Sequence, residues 1–410
     1  MLRTVLSLYA PCGGGGVIQV FRNLRSATEE SGVDLRWLGC GAQAMQAARR
    51  YARPDDWECG EIIGPALHGE KERAREYIRQ IAARRPSAVL LHVMCGQIES
   101  NLAAFLPREI PRIALVHSIT PSTYRGARAM RDYLHATIGV SRRIRKDLVK
   151  LCGFPPDNTF CIPNGLDPRP FSECPRTDAG DGPLRVLSCG RIEDISKGVF
   201  WIPEIVKKAF ARGLDMRLTV AGDGPDRAEL QRRINSSGLR PITEFRGWVQ
   251  REDLPRLYAE HDVFLFTSRF EGLGVALIEA MAAGCVPLAT RIRGVTDFVI
   301  EDGRTGFLFP SGKTEAAARL LADVAANRGR LKEMQDACRA ATAGRFGVRE
   351  QARAFAEVVE RVIAHPRRIK DPLPIEKWSI ARGLRPAWWT SLPEPVKNGL
   401  RVLRERAGVI

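Results

Sequence analysis

A doubly wound α/β architecture in two tandem domains is what the sequence predicts, on three observations. Short β-rich runs alternate with longer helical stretches, the alternation breaks once in a proline- and glycine-rich segment, and 410 residues exceed what one hydrophobic core usually supports. Strand, helix, strand in succession implies a parallel sheet, because each crossover lays a helix over a face of it.

In the first half the β-rich runs are Thr4–Tyr9, Val33–Leu38, Ala88–Met94, Ile113–Val116 and Thr137–Val140, with helical patterns between most of them, as at Ile18–Ser31 and Glu70–Arg84. The pattern breaks across Pro168–Pro183, whose residues resist both helix and strand. A second series then starts with Leu184–Cys189, Arg217–Ala221, Val263–Phe266 and Val286–Ala289. The expected organisation is a first domain over residues 1–170, a linker over 171–183, a second domain over 184–365 and a tail over 366–410. That tail carries Trp378, Trp388, Trp389 and a helix Glu394–Arg406, and is expected to pack back on the first domain, with contact to a membrane as the alternative. Two doubly wound domains in tandem create a cleft, and open sheets place ligands beyond the carboxyl ends of their strands.

Composition narrows the function. With 44% hydrophobic and 27% charged residues the chain is an ordinary globular protein, and no run reaches the ~18 apolar residues of a spanning helix. Sixty-three Lys and Arg against 47 Asp and Glu give a formal charge of +16, which favours anionic partners. The basic residues are spread along the chain without a recognisable nucleic-acid module, so nucleic acid is not the expected partner. Ten cysteines without a CxxC pair, several in apolar runs, fit buried hydrophobes in a reducing compartment; neither a disulfide framework nor a metal site is expected. The expected location is cytoplasmic, with peripheral contact to an anionic membrane through the first domain's Arg125, Arg128, Arg131, Arg142, Arg143, Arg145 and Lys146 as an alternative to simple solvation of those helix faces.

The motif that carries most chemistry is Ser268-Arg269-Phe270-Glu271-Gly272-Leu273-Gly274-Val275-Ala276-Leu277-Ile278-Glu279. Carboxylates accept hydrogen bonds from sugar hydroxyls, and a helix start free of side chains attracts phosphate, so Glu271 and Glu279 flanking Gly272 and Gly274 suit a nucleotide sugar. Glu271 is expected in the loop and Glu279 inside the helix, both toward one ligand. Gly190-Arg191-Ile192-Glu193-Asp194-Ile195-Ser196-Lys197-Gly198 also follows a strand, and there Arg191 and Lys197 can clamp a diphosphate and stabilise the charge on its departure. Gly13-Gly14-Gly15-Gly16 joins the first strand to the first helix, where backbone can approach a phosphate. A dinucleotide fingerprint there would need glycine or alanine where Ile18 or Gln19 stands, so NAD is not expected. His117 ends a strand at the carboxyl edge, and is either structural or placed to hold a sugar hydroxyl; His92, within a strand, is read as core.

These residues together resemble the retaining glycosyltransferases of family 4, which have the GT-B fold of two facing Rossmann-like domains. The resemblance runs from Thr4 to about Val362 and adds Ile162-Pro163-Asn164-Gly165-Leu166-Asp167, Ala221-Gly222-Asp223-Gly224-Pro225 and Phe245-Arg246-Gly247-Trp248-Val249 to the motifs above. It implies that Glu271 contacts the donor sugar, with Gly272, Leu273, Gly274 and Val275 around the phosphates, that Glu279 holds the ribose, and that Arg191 and Lys197 hold the diphosphate. It further implies that Gly14, Gly15 and Gly16 close over the phosphates, that Trp248 and Val249 recognise the base, and that His117 touches the transferred sugar. The implied reaction is transfer from a nucleotide-diphosphate sugar, UDP favoured over GDP, to a saccharide, glycolipid or similar acceptor, with retention and without a metal or further cofactor. A nucleotide-sugar epimerase of the same fold is the alternative, and a nucleic-acid-binding protein a more distant one.

Overall fold

The computed structural model describes residues 2–9, 16–93, 98–177 and 182–385, together with residues 392, 393, 396, 400 and 403. The chain divides into two compact units, one made of Met1–Gly165 and Val348–Ile410, the other of Leu166–Gly347.

The first unit is built on a seven-stranded parallel sheet: β1 (Arg3–Leu8), β2 (Val33–Cys40), β3 (Gly60–Ile63), β4 (Ala88–His92), β5 (Arg112–Val116), β6 (Ala136–Gly139) and β7 (Thr159–Cys161), in the order β3-β2-β1-β4-β5-β6-β7. β4 and β5 are buried along their whole length, which is why Ala88–Leu91 and Ile113–Val116 within them read as apolar runs rather than alternating ones. The helix Glu70–Arg84 buries Ala74, Tyr77 and Ile81, a spacing of three and four that puts one stripe on the sheet. Edge strands β3 and β7 have four and three residues, too short for a period-two pattern to stand out.

Arg112, at the start of β5, is fully buried without a paired carboxylate among the described residues. Its guanidinium donates to the carbonyl oxygens of Ala103, Leu106 and Pro107, each at 2.6 Å, and burial lowers its pKa to about 10. It gathers the turn between β4 and β5 around itself, and later chain docks on that turn. Leu373 N–H donates to Ala104 O at 2.8 Å, Asn101 brackets the tail through Ser379 O and Ala381 N–H, and the Trp378 ring lies 4.7 Å from Phe105. Trp388, Trp389 and most of the helix expected over Glu394–Arg406 lie outside the described residues.

The second unit holds β8 (Leu184–Cys189), β9 (Met216–Ala221), β10 (Thr243–Gly247), β11 (Val263–Phe266), β12 (Val286–Thr290) and β13 (Phe307–Phe309), all parallel, in the order β10-β9-β8-β11-β12-β13. Its extent differs from the expected 184–365 at both ends. Leu166 N–H donates to Phe346 O, Phe171 is buried, and Arg176 donates to the carbonyls of His261 and Ala283, so the segment read as a linker is anchored to this unit. At the other end the helix Val348–Ala364 belongs to the first unit. It buries Phe355, Val359 and Val362, packs on the helix Gly16–Thr28, and Glu360 accepts from Arg3 of β1 at 2.9 Å.

At the carboxyl edge of the second sheet the loops after β8 and β9 pass backbone against backbone. Gly190 N–H donates to Ala221 O and Ile192 N–H to Asp223 O. A Cβ on Gly222 would stand 1.9 Å from Gly190 O, and one on Gly224 would stand 2.2 Å from Ile192 O. Gly222 also has φ +126°, which side chains other than hydrogen rarely tolerate. Gly222→Ala is therefore expected to lower the unfolding free energy by about 2–4 kcal/mol in urea denaturation. Gly213→Ala, at φ +78° with no atom near its Cβ position, serves as the comparison and is expected to lower it by about 1 kcal/mol.

Candidate functional site

In an open parallel sheet the strand order reverses at one point, and the two loops flanking it diverge to leave a crevice. In the second unit that point falls between β8 and β11. The loop after β8 leads into the short helix Asp194–Lys197, and the loop after β11 runs from Thr267 to Gly274. The two are cross-bonded: Thr267 Oγ1 donates to Lys197 O at 2.8 Å, Arg269 N–H to Ser196 O at 2.8 Å, and the Arg269 guanidinium to Asp194 Oδ2 at 2.9 Å. Arg269 also lies over the Trp201 ring at 4.0 Å, which holds the loop from its far side.

This scaffold delivers Lys197 to Glu271, with Nζ 2.6 Å from Oε1 and the side chains 32% and 13% exposed. The pair is partly open to solvent, and the ammonium keeps two further N–H donors for another acceptor. Arg191 is placed differently: 66% exposed, it pairs with Glu193 at 3.2 Å. The structure thus joins Lys197 to Glu271 and leaves Arg191 on a separate carboxylate.

After Glu271 the chain passes buried Leu273 and turns at Gly274, φ +87°, into the helix Val275–Ala282. The first N–H groups of any helix lack an acceptor within it, and here glycine and Val275 stand at that end. One turn on, Glu279 is buried; its Oε1 accepts from Arg251 Nη1 at 3.1 Å and its Oε2 lies 3.5 Å from the Tyr258 hydroxyl. Arg251 follows Trp248 and Val249 by a few residues, so it ties the segment after β10 to Glu279. Trp248 itself is 64% exposed. Burial raises the Glu279 carboxyl above its ordinary value, with Arg251 and Tyr258 pulling it back, and the neighbouring Cys189 thiol is pushed up to about 12.

In the first unit His117 follows β5 and meets His92, the last residue of β4, Nε2 to Nδ1 at 2.8 Å. His92 Nε2 is 2.9 Å from Ser7 Oγ on β1. Burial holds both imidazoles below their ordinary pKa, His117 at about 4, so both are neutral near pH 7. Gly14 and Gly15 lie outside the described residues, and Gly16 begins the helix Gly16–Thr28. Among the basic residues noted for the first domain, Arg131 pairs with Asp132, Arg143 with Asp147, and Arg145 donates to Thr159 O. They are structural partners as well as surface charge.

Sequence reasoning missed Arg251, Tyr258 and Ser7, and took His92 as core. Nothing in the one-dimensional pattern marks them, since each acts on a residue from another strand or loop. Among the described residues no group of three His, Cys, Asp or Glu side chains is arranged to hold a metal ion, and no helix is long and apolar enough to cross a membrane.

Each unit is a parallel doubly wound sheet, and the second carries a lysine–carboxylate pair at its switch point with a glycine-led helix start beside it, the place where open sheets of this class bind ligands. Comparison with known families is specific. A model described as Glycosyltransferase Family 4 matches residues 14–169, and one described as Glycosyl transferases group 1 matches residues 183–327. The chain belongs to this family, the group 1 and family 4 glycosyltransferases. Among curated relatives, an alpha-D-kanosaminyltransferase of Streptomyces kanamyceticus is 33% identical over 163 residues, 39% of this chain and 38% of that one. The amylovoran biosynthesis glycosyltransferase AmsK of Erwinia amylovora is 28% identical over 229 residues, 54% of this chain and 55% of that one. The matched stretches therefore span less than two thirds of these relatives. Among solved structures, Anabaena Alr3699/HepE in complex with UDP and glucose superposes with a TM-score of 0.69 over 87% of this chain and 99% of that one, at 17% identity, a likeness of fold.

Because the native state binds the Glu279 proton more tightly than the unfolded chain does, the carboxylate subtracts from stability as pH rises from the unfolded-state value, about 4.3, through its raised native value. Below that window the subtraction is absent. In urea unfolding across a pH series, the wild type is expected to lose stability relative to Glu279→Gln as pH rises from about 4 to 7. Nucleotide binding by the variant, followed by calorimetry, is expected to weaken at least ~10-fold.

Proposed function

We propose that the protein transfers a glycosyl group from a nucleotide-diphosphate sugar, a UDP-sugar in preference to a GDP-sugar, to a hydroxyl of a saccharide or glycolipid acceptor. The observation that carries this reading is the Lys197–Glu271 pair at the switch point, beside the helix start at Gly274. Family membership supports the reaction class, and the UDP and glucose held by Anabaena HepE support the choice of nucleotide.

In this reading Lys197 directs one N–H at Glu271 and its other two at oxygens of the diphosphate, while the first N–H groups of the helix Val275–Ala282 face the same charge. As the bond from the anomeric carbon to the phosphate oxygen breaks, negative charge grows on the leaving diphosphate, and these fixed donors stabilise it without rearranging. Glu271 accepts from hydroxyls of the transferred sugar, Glu279 from the ribose hydroxyls, and Arg191 adds a mobile cation at the rim. The base lies against the segment of Trp248 and Val249, and His117 takes the role toward the transferred sugar that the resemblance implies.

Retention follows if the acceptor hydroxyl attacks from the face the diphosphate leaves. Its oxygen bonds to the anomeric carbon, its proton passes to a departing phosphate oxygen, and no side chain has to act as general base. The charge is met by Lys197, Arg191 and backbone N–H groups, and the reaction proceeds without a divalent metal. Contact with an anionic membrane surface through the first unit belongs to the same proposal, as does a cytoplasmic location.

A panel of UDP-, GDP- and ADP-sugars tests the donor. A UDP-sugar at 100 times its Kd is expected to stabilise the protein by about 2.7 kcal/mol, read as a raised Tm, with or without EDTA. Stabilisation by no nucleotide sugar overturns the reading. With the best donor, Lys197→Ala and Glu271→Ala are each expected to cut donor hydrolysis or transfer by about 100-fold or more. Undiminished turnover in both rejects the site.

A further inference from the structure

We infer that Ser7 and His92 are positioning residues that lock His117 into its Nδ1–H tautomer, so that His117 presents a hydrogen-bond donor to the substrate; the role toward substrate rests on the reading of His117 given above.

The three residues come from the carboxyl ends of β1, β4 and β5, which are consecutive neighbours in the sheet. Parallel register brings Ser7 Oγ within 2.9 Å of His92 Nε2, and His92 Nδ1 within 2.8 Å of His117 Nε2. The two imidazole planes are 9° apart with centroids at 5.1 Å, and contact between ring nitrogens of nearly parallel rings lets an N–H point at a lone pair. Tyr9 lies against His92 at 5.4 Å, so the His92 ring is held from a further side.

A neutral imidazole has one donor nitrogen and one acceptor nitrogen, so two linked neutral rings must run in one direction. Burial keeps both rings neutral near pH 7. Two patterns are then available. In the first, the Ser7 hydroxyl donates to His92 Nε2, His92 Nδ1–H donates to His117 Nε2, and His117 carries its proton on Nδ1. In the second every bond is reversed, and the Ser7 hydroxyl proton is left over.

Ser7 decides between them. It is fully buried, and its hydroxyl has no partner other than His92 among the described residues. The second pattern strands a buried O–H donor, which the first satisfies. The chain therefore runs from Ser7 outward and leaves Nδ1–H on His117 as its free end. Imidazole side chains in water favour Nε2–H, so the relay selects the less common form. The substrate atom that fits this end is an oxygen offering a lone pair, such as a sugar hydroxyl oxygen, ring oxygen or carbonyl. His117 is only partly buried, and its Nδ1 has no hydrogen-bond partner among the described residues.

The test is long-range 1H–15N NMR on the full chain labelled with 15N-histidine, at pH 7.5 and without substrate. His117→Ala identifies the signals of His117. The wild type is expected to show His117 mainly as Nδ1–H. Ser7→Ala and His92→Phe are expected to shift it toward Nε2–H, whereas Ser7→Thr, which keeps the hydroxyl, restores the wild-type pattern. Nε2–H at His117 in the wild type, or an unchanged tautomer in Ser7→Ala, overturns the inference; Ser7→Ala removes a single oxygen and decides the matter even if His92→Phe does not fold. The outcome is separate from the role of His117 toward substrate. Full transfer activity in His117→Ala rejects that role and leaves the tautomer measurement standing.

Discussion

Backbone passing against backbone at the carboxyl edge of the second sheet is the constraint on which that unit's site depends. Gly222 and Gly224 let the loop after β9 lie on Gly190 and Ile192 with no side chain between. That contact fixes the path of the β8 loop, and the path fixes where the helix Asp194–Lys197 begins. Arg269 and Thr267 then fasten this helix to the loop after β11, and Lys197 arrives beside Glu271. A hydrogen bond of 2.6 Å between residues 74 positions apart is the end of a sequence of close packings, each of which tolerates little displacement.

The two glutamates are held in different ways. Glu271 is partly open to solvent and is held by the ammonium of Lys197. Glu279 is enclosed, and its partners Arg251 and Tyr258 only partly offset the loss of water. Groups held at some cost to stability are the ones whose replacement stabilises a fold while weakening its function. The two glutamates, eight residues apart, therefore differ in energetics as much as in position.

Much of this was legible in the sequence because periodicity is a local property. The strand Val263–Phe266 is buried along its whole length and reads as an apolar run with the bounds the structure gives, and Leu184–Cys189 has the expected bounds as well. Glu271 and Gly274 stood out because loop chemistry is concentrated in a few adjacent residues. Other features were hidden for physical reasons. β3 and β7 are too short to show a pattern, and Arg251, Tyr258 and Ser7 gain their roles only from neighbours brought by other elements. The helix Val348–Ala364 has a clear apolar stripe, but a stripe does not say which unit it will cover. His92 read as core from its strand, and the strand is indeed buried; what the pattern could not show was a second histidine at the end of the next strand.

The return of that helix to the first unit gives the chain an order of assembly. The second unit is one continuous stretch, so its sheet can close as soon as residues 166–347 have left the ribosome. The first unit cannot finish then, because the helix Gly16–Thr28, made before the second unit, waits for Val348–Ala364 to cover it. Domains usually complete themselves in the order in which they are synthesised. Here the domain that starts first is completed last, and until then the face of Gly16–Thr28 that Val348–Ala364 covers stays uncovered.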